Sequence, residues 1–111
     1  MQAFKEPTNM EEIDHFLEEQ PLAFLYIYRD NCSVCHALMP QVKRVLEDYP
    51  EIQVRQVNAD TIPEIAGRFS IFTVPVLLLF ADGKEVLRKA RFVQMAELEN
   101  QLGKITEAYS V

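Results

Sequence analysis

Residues 22–36 read LAFLYIYRDNCSVCH, and this stretch decides the fold. Its first seven residues are apolar or aromatic and do not alternate with polar residues, which is typical of a strand covered on both faces by helices. Cys32 and Cys35 follow at the carboxyl end of that strand, where open α/β sheets place their functional crevice. The stretch therefore predicts an α/β fold with both cysteines at that edge of the sheet.

The residues on either side predict the other elements. Thr8 and Asn9, with Glu11 or Glu12, form a helix-capping signal, and apolar residues then recur at helical spacing until Pro21. After the central strand, a helix followed by another strand implies a right-handed crossover and parallel pairing. Beyond the central strand we expect a helix, a strand, a short helix with Pro63 in its first turn, two strands and a last helix, over residues 33–49, 52–57, 61–69, 76–81, 85–92 and 95–109.

Three local features refine this order. Pro40 lies inside the predicted helix 33–49, where it removes a backbone hydrogen bond and should kink the helix. Asp82-Gly83 predicts a two-residue type I′ hairpin between the last two strands. Gly103 weakens the last helix by about 1 kcal/mol relative to alanine. We expect a mixed sheet of about four strands, with a parallel core and a C-terminal antiparallel hairpin, flanked by helices on both faces.

Length, composition and charge limit the classes of function. The chain has 111 residues, 49% hydrophobic and 25% charged, which predicts a single domain spanning residues 1–111. Its 11 basic and 17 acidic residues give a net charge of −6, so we expect neither a nucleic acid nor a membrane as partner. The first residues carry no secretory-signal pattern, which makes the cytoplasm the expected location.

The cysteine pair favours redox chemistry. Two residues separate Cys32 from Cys35 at a helix start, a spacing that brings the sulfurs within bonding reach. The free N–H groups and partial positive charge of a helix N-terminus stabilise a thiolate and lower its pKa below the free value of ~8.5. Cys32 lies nearest those groups and is the expected nucleophile. Cys35 would be the buried thiol that resolves a mixed disulfide.

Three other uses of the cysteines stay open. A structural zinc site needs four ligands, whereas the chain offers two cysteines and two histidines, with His15 far along the chain. Residues 32–36 match C-x-x-C-H, the attachment sequence of c-type haem, although such proteins are largely helical and normally exported. The cysteines could also be incidental core residues. We expect no metal and no cofactor.

Several motifs occur together in a fixed order. After the Cys-x-x-Cys come Pro40, Val-Asn-x-Asp at 57–60, Val74-Pro75 before a buried strand, and the Asp-Gly hairpin at 82–83. In this order and spacing, from about residue 10 to residue 109, the chain resembles the thioredoxin family. The resemblance implies a thioredoxin fold and a thiol–disulfide oxidoreductase that acts through the Cys32/Cys35 couple.

The resemblance also implies a substrate site and partners. In the family the bond before the proline at position 75 is cis, although X-Pro bonds are cis in only ~5% of cases. A cis Pro75 would turn the backbone of Val74 outward, where an extended substrate can add hydrogen bonds. Thr73, Val74 and Pro75 would then form a substrate platform. The implied partners are disulfide-containing proteins, and a reductase or low-molecular-weight thiol as electron donor.

Positions around the cysteines depart from the family pattern. Asn31 replaces a tryptophan, and Ser33-Val34 replaces Gly-Pro, so we expect altered reactivity. Tyr26 replaces a buried aspartate and Gln56 its partner lysine. Protons would then pass to solvent, to the Tyr26 hydroxyl or to nearby Glu or His groups, unless Tyr26 is only a core aromatic residue.

Several charged or titratable residues near the two cysteines also differ from the family pattern. His36 replaces a lysine and should be exposed, while Asp30 should raise the pKa of Cys32 slightly because it adds a negative charge nearby. Arg91 stands at a family glycine on the docking surface, and Arg88, Lys89 and Arg91 make that strand locally basic. These departures leave a second interpretation, a thioredoxin-fold interaction module with little redox turnover.

Overall fold

A computed structural model describes residues 4–110 and contains a four-stranded sheet in the order β2-β1-β3-β4. Each predicted helix and strand is present, and the differences from the prediction lie at the ends of the elements. The elements in chain order are α1 (Met10–Glu19), β1 (Leu22–Tyr28), α2 (Ser33–Leu46), β2 (Gln53–Asn58), α3 (Glu64–Arg68), β3 (Val76–Ala81), β4 (Lys84–Ala90) and α4 (Met95–Ser110).

The sheet is mixed, as predicted, and one of its three strand pairs is parallel. β1 runs parallel to β2 and antiparallel to β3, and β4 is antiparallel to β3. A single row of paired residues crosses all four strands: Val57, Ile27, Val76 and Ala90. The segments just outside this row therefore lie at the same end of the sheet: the residues after β1, those before β3 and those after β4. We call this end of the sheet the site edge.

Both faces of the sheet are covered. On one face, Phe24 and Tyr26 of β1 pack in a buried cluster with residues of α2 and α4, such as Val42 and Leu98. On the other face, alternate residues of β1 pack with residues of α1 and α3. All seven residues of β1 are buried, which confirms the prediction from its unbroken apolar run. Burial on this scale is the main source of folding free energy.

Several predicted boundaries are wrong by a few residues. α2 ends at Leu46 rather than at residue 49, because the next turn closes with three-residue bonds, from the Asp48 N–H to Val45 and from the Tyr49 N–H to Leu46. β2 is shifted by one residue along the chain. α3 covers only Glu64–Arg68, with Pro63 as its N-cap and not inside its first turn.

The hairpin prediction is confirmed, although β4 differs at both ends. Asp82 and Gly83 have φ angles of 50° and 81°, the left-handed conformation that a type I′ turn requires at both positions. β4 begins at Lys84 and ends at Ala90, not at residue 92, because Arg91 leaves the extended conformation with φ 64°. A register shift opposite Leu79 and Phe80 adds a bulge to this pair.

Gly103 has a packing role within α4. A Cβ atom there would lie 3.3 Å from the hydroxyl of Tyr49, which donates to the Glu99 carbonyl at 3.1 Å. The glycine therefore allows the chain after α2 to lie close against α4. Within residues 4–110, every helix is too short or too polar to cross a membrane.

Candidate active site

The two cysteines lie at the site edge, where β1 gives way to α2. A disulfide joins them, with the Cα atoms 5.2 Å apart. Cys32 is the N-cap residue of α2, and its Sγ accepts a hydrogen bond from the Cys35 N–H at 3.1 Å. Cys32 is partly exposed, whereas Cys35 is fully buried, as expected from the sequence. The helix N-terminus thus directs a backbone donor at the accessible sulfur.

The loop before Cys32 is held by residues at the end of β2 and just after β2. The Asn58 amide donates to the Asp30 carboxylate at 2.8 Å, and the Asp30 N–H donates to Asp60 at 3.0 Å. Asp60 also forms an ion pair with Arg29 at 3.5 Å. The Val-Asn-x-Asp motif therefore fixes the loop that carries Cys32, a role that sequence analysis left unassigned.

His36 is exposed, as predicted, and its ring contacts the same loop. Its Nε2 is 2.9 Å from the Asp30 carbonyl oxygen, and its ring packs edge-on against Tyr28 with the centroids 5.8 Å apart. The side chains of Asn31, Ser33 and Val34 are exposed, with Val34 55% exposed. These three positions place uncharged groups on either side of Cys32 at the surface.

Tyr26 lies fully buried beneath the disulfide and is more than a core aromatic residue. Its hydroxyl donates to the Cys35 carbonyl oxygen at 2.6 Å. Burial raises the pKa of Tyr26 above its ordinary value, so the phenol is neutral at physiological pH. A neutral phenol already committed as a donor is a poor proton acceptor. Tyr26 therefore holds the backbone of the second cysteine rather than accepting its proton.

A carboxylate from the N-terminal segment reaches the side chains beside Tyr26. Glu6 accepts from the Tyr28 hydroxyl at 2.8 Å and from the buried Gln56 amide at 2.7 Å. Gln56 in turn accepts from the Phe4 N–H at 3.1 Å. Desolvation, followed by the hydrogen bond to Glu6, raises the pKa of Tyr28 to about 12. Sequence analysis missed Glu6, because no local pattern links residue 6 to the strands.

The expected substrate platform lies at the start of β3. The bond between Val74 and Pro75 is cis, as predicted. Thr73 is exposed, Val74 is half-buried and Pro75 is buried. The Pro75 carbonyl accepts from the Arg91 N–H at 2.8 Å, whereas no described residue of 4–110 forms a backbone hydrogen bond with Val74. The Val74 N–H and carbonyl therefore have no backbone partner among the described residues.

Two of the three basic residues expected on this strand have acidic partners, and the third, Arg91, lies just beyond the end of β4. Arg88 forms an ion pair with Glu85 at 2.7 Å and donates to the Phe69 carbonyl at 2.8 Å. Lys89 is ion-paired with Glu97. Of the three, Arg91 alone forms no ion pair within the described part of the chain.

Two exposed aromatic residues near this edge escaped sequence analysis. Phe72, in the loop before Pro75, is 91% exposed, and Phe92, just after β4, is 84% exposed. The sequence offered no signal for them, because apolar side chains in short segments usually turn inward. Residues 4–110 contain no cluster of three or more His, Cys, Asp or Glu side chains arranged to hold a metal ion.

Comparison with known proteins gives consistent matches. A sequence model of the thioredoxin family matches residues 5–104. The thioredoxin-like protein YdfQ of Bacillus subtilis is 50% identical over 97 residues, which make up 87% of each chain. The thioredoxin of Mycoplasmoides gallisepticum is 28% identical over 98 residues, covering 88% of this chain and 98% of that protein.

Solved structures show the same fold. The thioredoxin of Trypanosoma brucei brucei superimposes with a TM-score of 0.84 at 16% identity, over 94% of this chain and 91% of that chain. The thioredoxin of Fasciola hepatica gives a TM-score of 0.81 at 20% identity, over 91% and 98%.

The chain belongs to the thioredoxin family. Its mixed sheet with helices on both faces is a thioredoxin fold, as the sequence predicted. With the Cys32–Cys35 pair joined by a disulfide at the motif position, the protein is a thiol–disulfide oxidoreductase.

Proposed function

We propose that the protein exchanges disulfides with protein substrates, with Cys32 as the attacking thiolate and Cys35 as the resolving thiol. The observation that carries this assignment is the Cys35 N–H, which donates to Sγ of Cys32 at 3.1 Å. A backbone donor at that distance favours negative charge on the sulfur. Cys32 is also the accessible sulfur of the pair, because Cys35 is fully buried.

The reaction starts from the reduced protein. The Cys32 thiolate attacks one sulfur of the substrate disulfide, whose S–S bond breaks as a mixed disulfide forms, and the released thiolate takes up a proton. Cys35 then loses its proton and attacks Sγ of Cys32, which releases the second substrate thiolate to take up a second proton. Two electrons pass from the dithiol to the substrate. Of the two protons that the substrate thiolates take up, Cys35 supplies one and the solvent the other, because Cys32 starts as a thiolate. A reductase or low-molecular-weight thiol restores the Cys32/Cys35 dithiol.

Thr73, Val74 and Pro75 provide the substrate platform in this proposal. Its support is the open backbone of Val74 beside the buried Pro75, at the edge that also carries Cys32. An extended segment that pairs with an open backbone gains main-chain hydrogen bonds without requiring particular side chains. The platform would therefore bind the chain around a substrate disulfide, whatever its sequence.

The setting of this activity is part of the proposal. We place it in the cytoplasm, where low-molecular-weight thiols and reductases keep such couples reduced. We also treat residues 1–111 as one domain that performs the exchange without a cofactor. The tuning residues are those in contact with the cysteine loop, above all Tyr26, which binds the Cys35 carbonyl, and Asp30, which Asn58 holds.

A second candidate function is an interaction module with little turnover. The exposed rings of Phe72 and Phe92 favour it, because large exposed apolar side chains mark protein-binding surfaces. Such a module would bind its partner equally well with both cysteines replaced by serine.

Alkylation of the reduced protein tests the cysteine roles. At neutral pH, iodoacetamide should modify Cys32 well before Cys35, as read by peptide mass spectrometry. Cys35→Ser should accumulate mixed disulfides with a peptide disulfide, whereas the matched Cys32→Ser variant should accumulate none. Earlier modification of Cys35 would reverse the assignment. Little turnover by the unaltered protein, together with partner binding that survives replacement of both cysteines by serine, would favour the interaction module over the exchange reaction.

A further inference from the structure

Arg91 lies at the site edge beside the proposed platform. Ile27, Val76 and Ala90 form one row across β1, β3 and β4, so the residues that continue beyond this row share an edge with the cysteine loop. Arg91 is the first residue beyond the row on β4, and its N–H donates to the Pro75 carbonyl at 2.8 Å. A substrate segment that pairs with Val74 therefore passes next to Arg91.

The backbone of Arg91 is in a conformation that favours glycine. Its φ angle is 64°, in the left-handed region where a Cβ atom is crowded by the neighbouring carbonyl. Residues other than glycine persist there when surrounding contacts hold them, and they concentrate at functional sites. The backbone at this turn does not require an arginine, so the side chain is the feature to explain.

The charge of Arg91 is available to a partner. Its neighbours Arg88 and Lys89 are ion-paired with Glu85 and Glu97, whereas Arg91 has no carboxylate within ion-pair distance in residues 4–110. Its guanidinium lies over the ring of Phe92, with Cζ 5.4 Å from the ring centroid. A guanidinium stacked on a ring keeps its N–H edge free, and that edge matches a carboxylate with two parallel hydrogen bonds.

Charge complementarity identifies the partner chemistry. The chain has a net charge of −6, which on its own would disfavour acidic substrates. Arg91, which has no ion-pair partner in the described part of the chain, reverses this preference beside the platform. The exposed rings of Phe72 and Phe92 lie on the same two segments as Thr73 and Arg91.

We propose that Arg91 is a specificity-determining residue that selects polypeptide disulfides with an acidic side chain next to the attacked cysteine. The carboxylate of that side chain pairs with the Arg91 guanidinium while the substrate backbone lies along Val74. This inference rests on the proposed function, because it takes Cys32 as the attacking sulfur and Val74 as the platform.

The test measures second-order rates for three peptide disulfides that differ only in the residue before the attacked cysteine: Glu, Gln or Lys. Each rate is divided by the rate of the same peptide with dithiothreitol, which removes differences in intrinsic reactivity. For the unaltered protein at low salt we expect about threefold faster reaction with Glu than with Gln, and about tenfold faster than with Lys. High salt should shrink both ratios, because it screens exposed charges.

Variants assign the preference to one residue. Arg91→Glu should reverse the order of the three peptides, and Arg91→Gly should abolish it. Lys84→Glu makes the same change of charge at the opposite, hairpin end of β4 and should keep the order of the unaltered protein. A purely structural role for Arg91 would lower the melting temperature of Arg91→Gly, whereas relief of the left-handed conformation should leave it equal or higher.

The outcomes separate this inference from the proposed function. Equal rates with all three peptides, or the same reversal in Lys84→Glu, would overturn the selective role of Arg91 and leave the exchange reaction standing. An Arg91 effect seen only with glutathione disulfide would also overturn it, because the preference would then be for a small anionic disulfide. Failure to react with any of the peptides, in contrast, would contradict the exchange reaction itself.

Discussion

Both ends of β4 place non-glycine residues in the left-handed conformation, and they hold them by different means. At the hairpin end, Asp82 has φ 50° and is followed by Gly83 with φ 81°, a sequence and geometry that define a type I′ turn by themselves. At the site edge, Arg91 has φ 64° with no turn sequence around it, and its N–H is held by the Pro75 carbonyl.

The difference separates local from long-range control of structure. The hairpin forms from two adjacent residues whose backbone preferences match the twist of the strands. The site edge depends on contacts between distant segments, such as the bond from Asn58 to Asp30 across 28 residues. Changes at the site edge should therefore alter both stability and reactivity, whereas changes at the hairpin should alter stability alone.

Among variants at the two ends of the sheet, we expect Asn58→Ala to have the largest effect on stability and reactivity. The change removes the bond to the Asp30 carboxylate and the bond that Asn58 accepts from the Asp60 N–H at 2.9 Å. We expect unfolding in urea to show a loss of about 2 kcal/mol. Exchange with a peptide disulfide should slow about fivefold, because the loop that carries Cys32 loses its support.

Asn9→Ala is the matched control for that variant. Asn9 caps α1, a helix that does not carry the cysteines, through one bond from the Glu12 N–H at 2.9 Å. Asn9→Ala should lower the free energy of unfolding by about 1 kcal/mol and leave the exchange rate unchanged. Equal slowing in the two variants would mean that reactivity follows global stability rather than the loop.

The next effect concerns the reduction potential. Val34 in place of a proline frees a backbone N–H at the start of α2, and Tyr26 in place of an aspartate removes a buried negative charge. Both favour the ionised, reduced form. The Cys32/Cys35 couple should therefore lie at least about 30 mV above the ~−270 mV of thioredoxin, equivalent to about 1.4 kcal/mol.

Equilibration with glutathione buffers, followed by alkylation and mass spectrometry, measures this potential. Tyr26→Asp combined with Val34→Pro should shift it to more negative values. Val34→Pro alone changes an exposed position in the first turn of α2, where proline is tolerated, so it provides the test even if the double variant folds poorly. A shift toward more positive values in Val34→Pro would contradict the argument.

A smaller effect is expected from the Tyr28–Glu6 contact and has a defined pH dependence. Because the pKa of Tyr28 is raised to about 12 in the folded protein, its stabilising contribution is complete below the ordinary value of ~10 and is lost as pH rises through 12. Tyr28→Phe should cost about 1 kcal/mol near pH 7, since Glu6 is exposed and partly solvated.

Urea unfolding at increasing pH tests this prediction. The difference in unfolding free energy between the unaltered protein and Tyr28→Phe should shrink between about pH 10 and pH 12. A difference that stays constant across that range would show that Tyr28 does not ionise with a raised pKa in the folded state.

The smallest effect belongs to the hairpin end. The Cβ atom added by Gly83→Ala would have no atom within 4 Å. The expected loss of about 0.7 kcal/mol in unfolding free energy therefore comes from the positive φ alone. Gly67→Ala also meets no atom within 4 Å but lies inside α3, where alanine should stabilise by a similar amount. Thermal unfolding should show opposite signs, and both variants should react normally with peptide disulfides. Destabilisation by both changes would contradict the local account.

The sequence predicted the fold class and the position of the cysteine pair, and its resemblance to the family implied the cis bond at Pro75. Its errors fall at element ends and side-chain partners. Helix α2 ends three residues early because its last turn tightens, and β4 stops at Ala90 because Arg91 turns away. The end of β4 coincides with a bond from the Arg91 N–H to the distant Pro75 carbonyl, which local propensity does not contain, and the end of α2 falls within the one or two turns where helix ends commonly vary.

By itself the sequence determined what repeats or acts locally: the buried run of β1, the cysteines at a helix start and the Asp-Gly hairpin. These follow from hydrophobic periodicity and backbone preferences, which neighbouring residues carry. Only the tertiary structure decided that Tyr26 binds the Cys35 carbonyl, that Glu6 reaches Tyr28, and that Arg91 has no ion-pair partner among residues 4–110. The physical reason is that a polar group takes its partner from whatever packing brings within about 3 Å, and packing is a property of the whole chain.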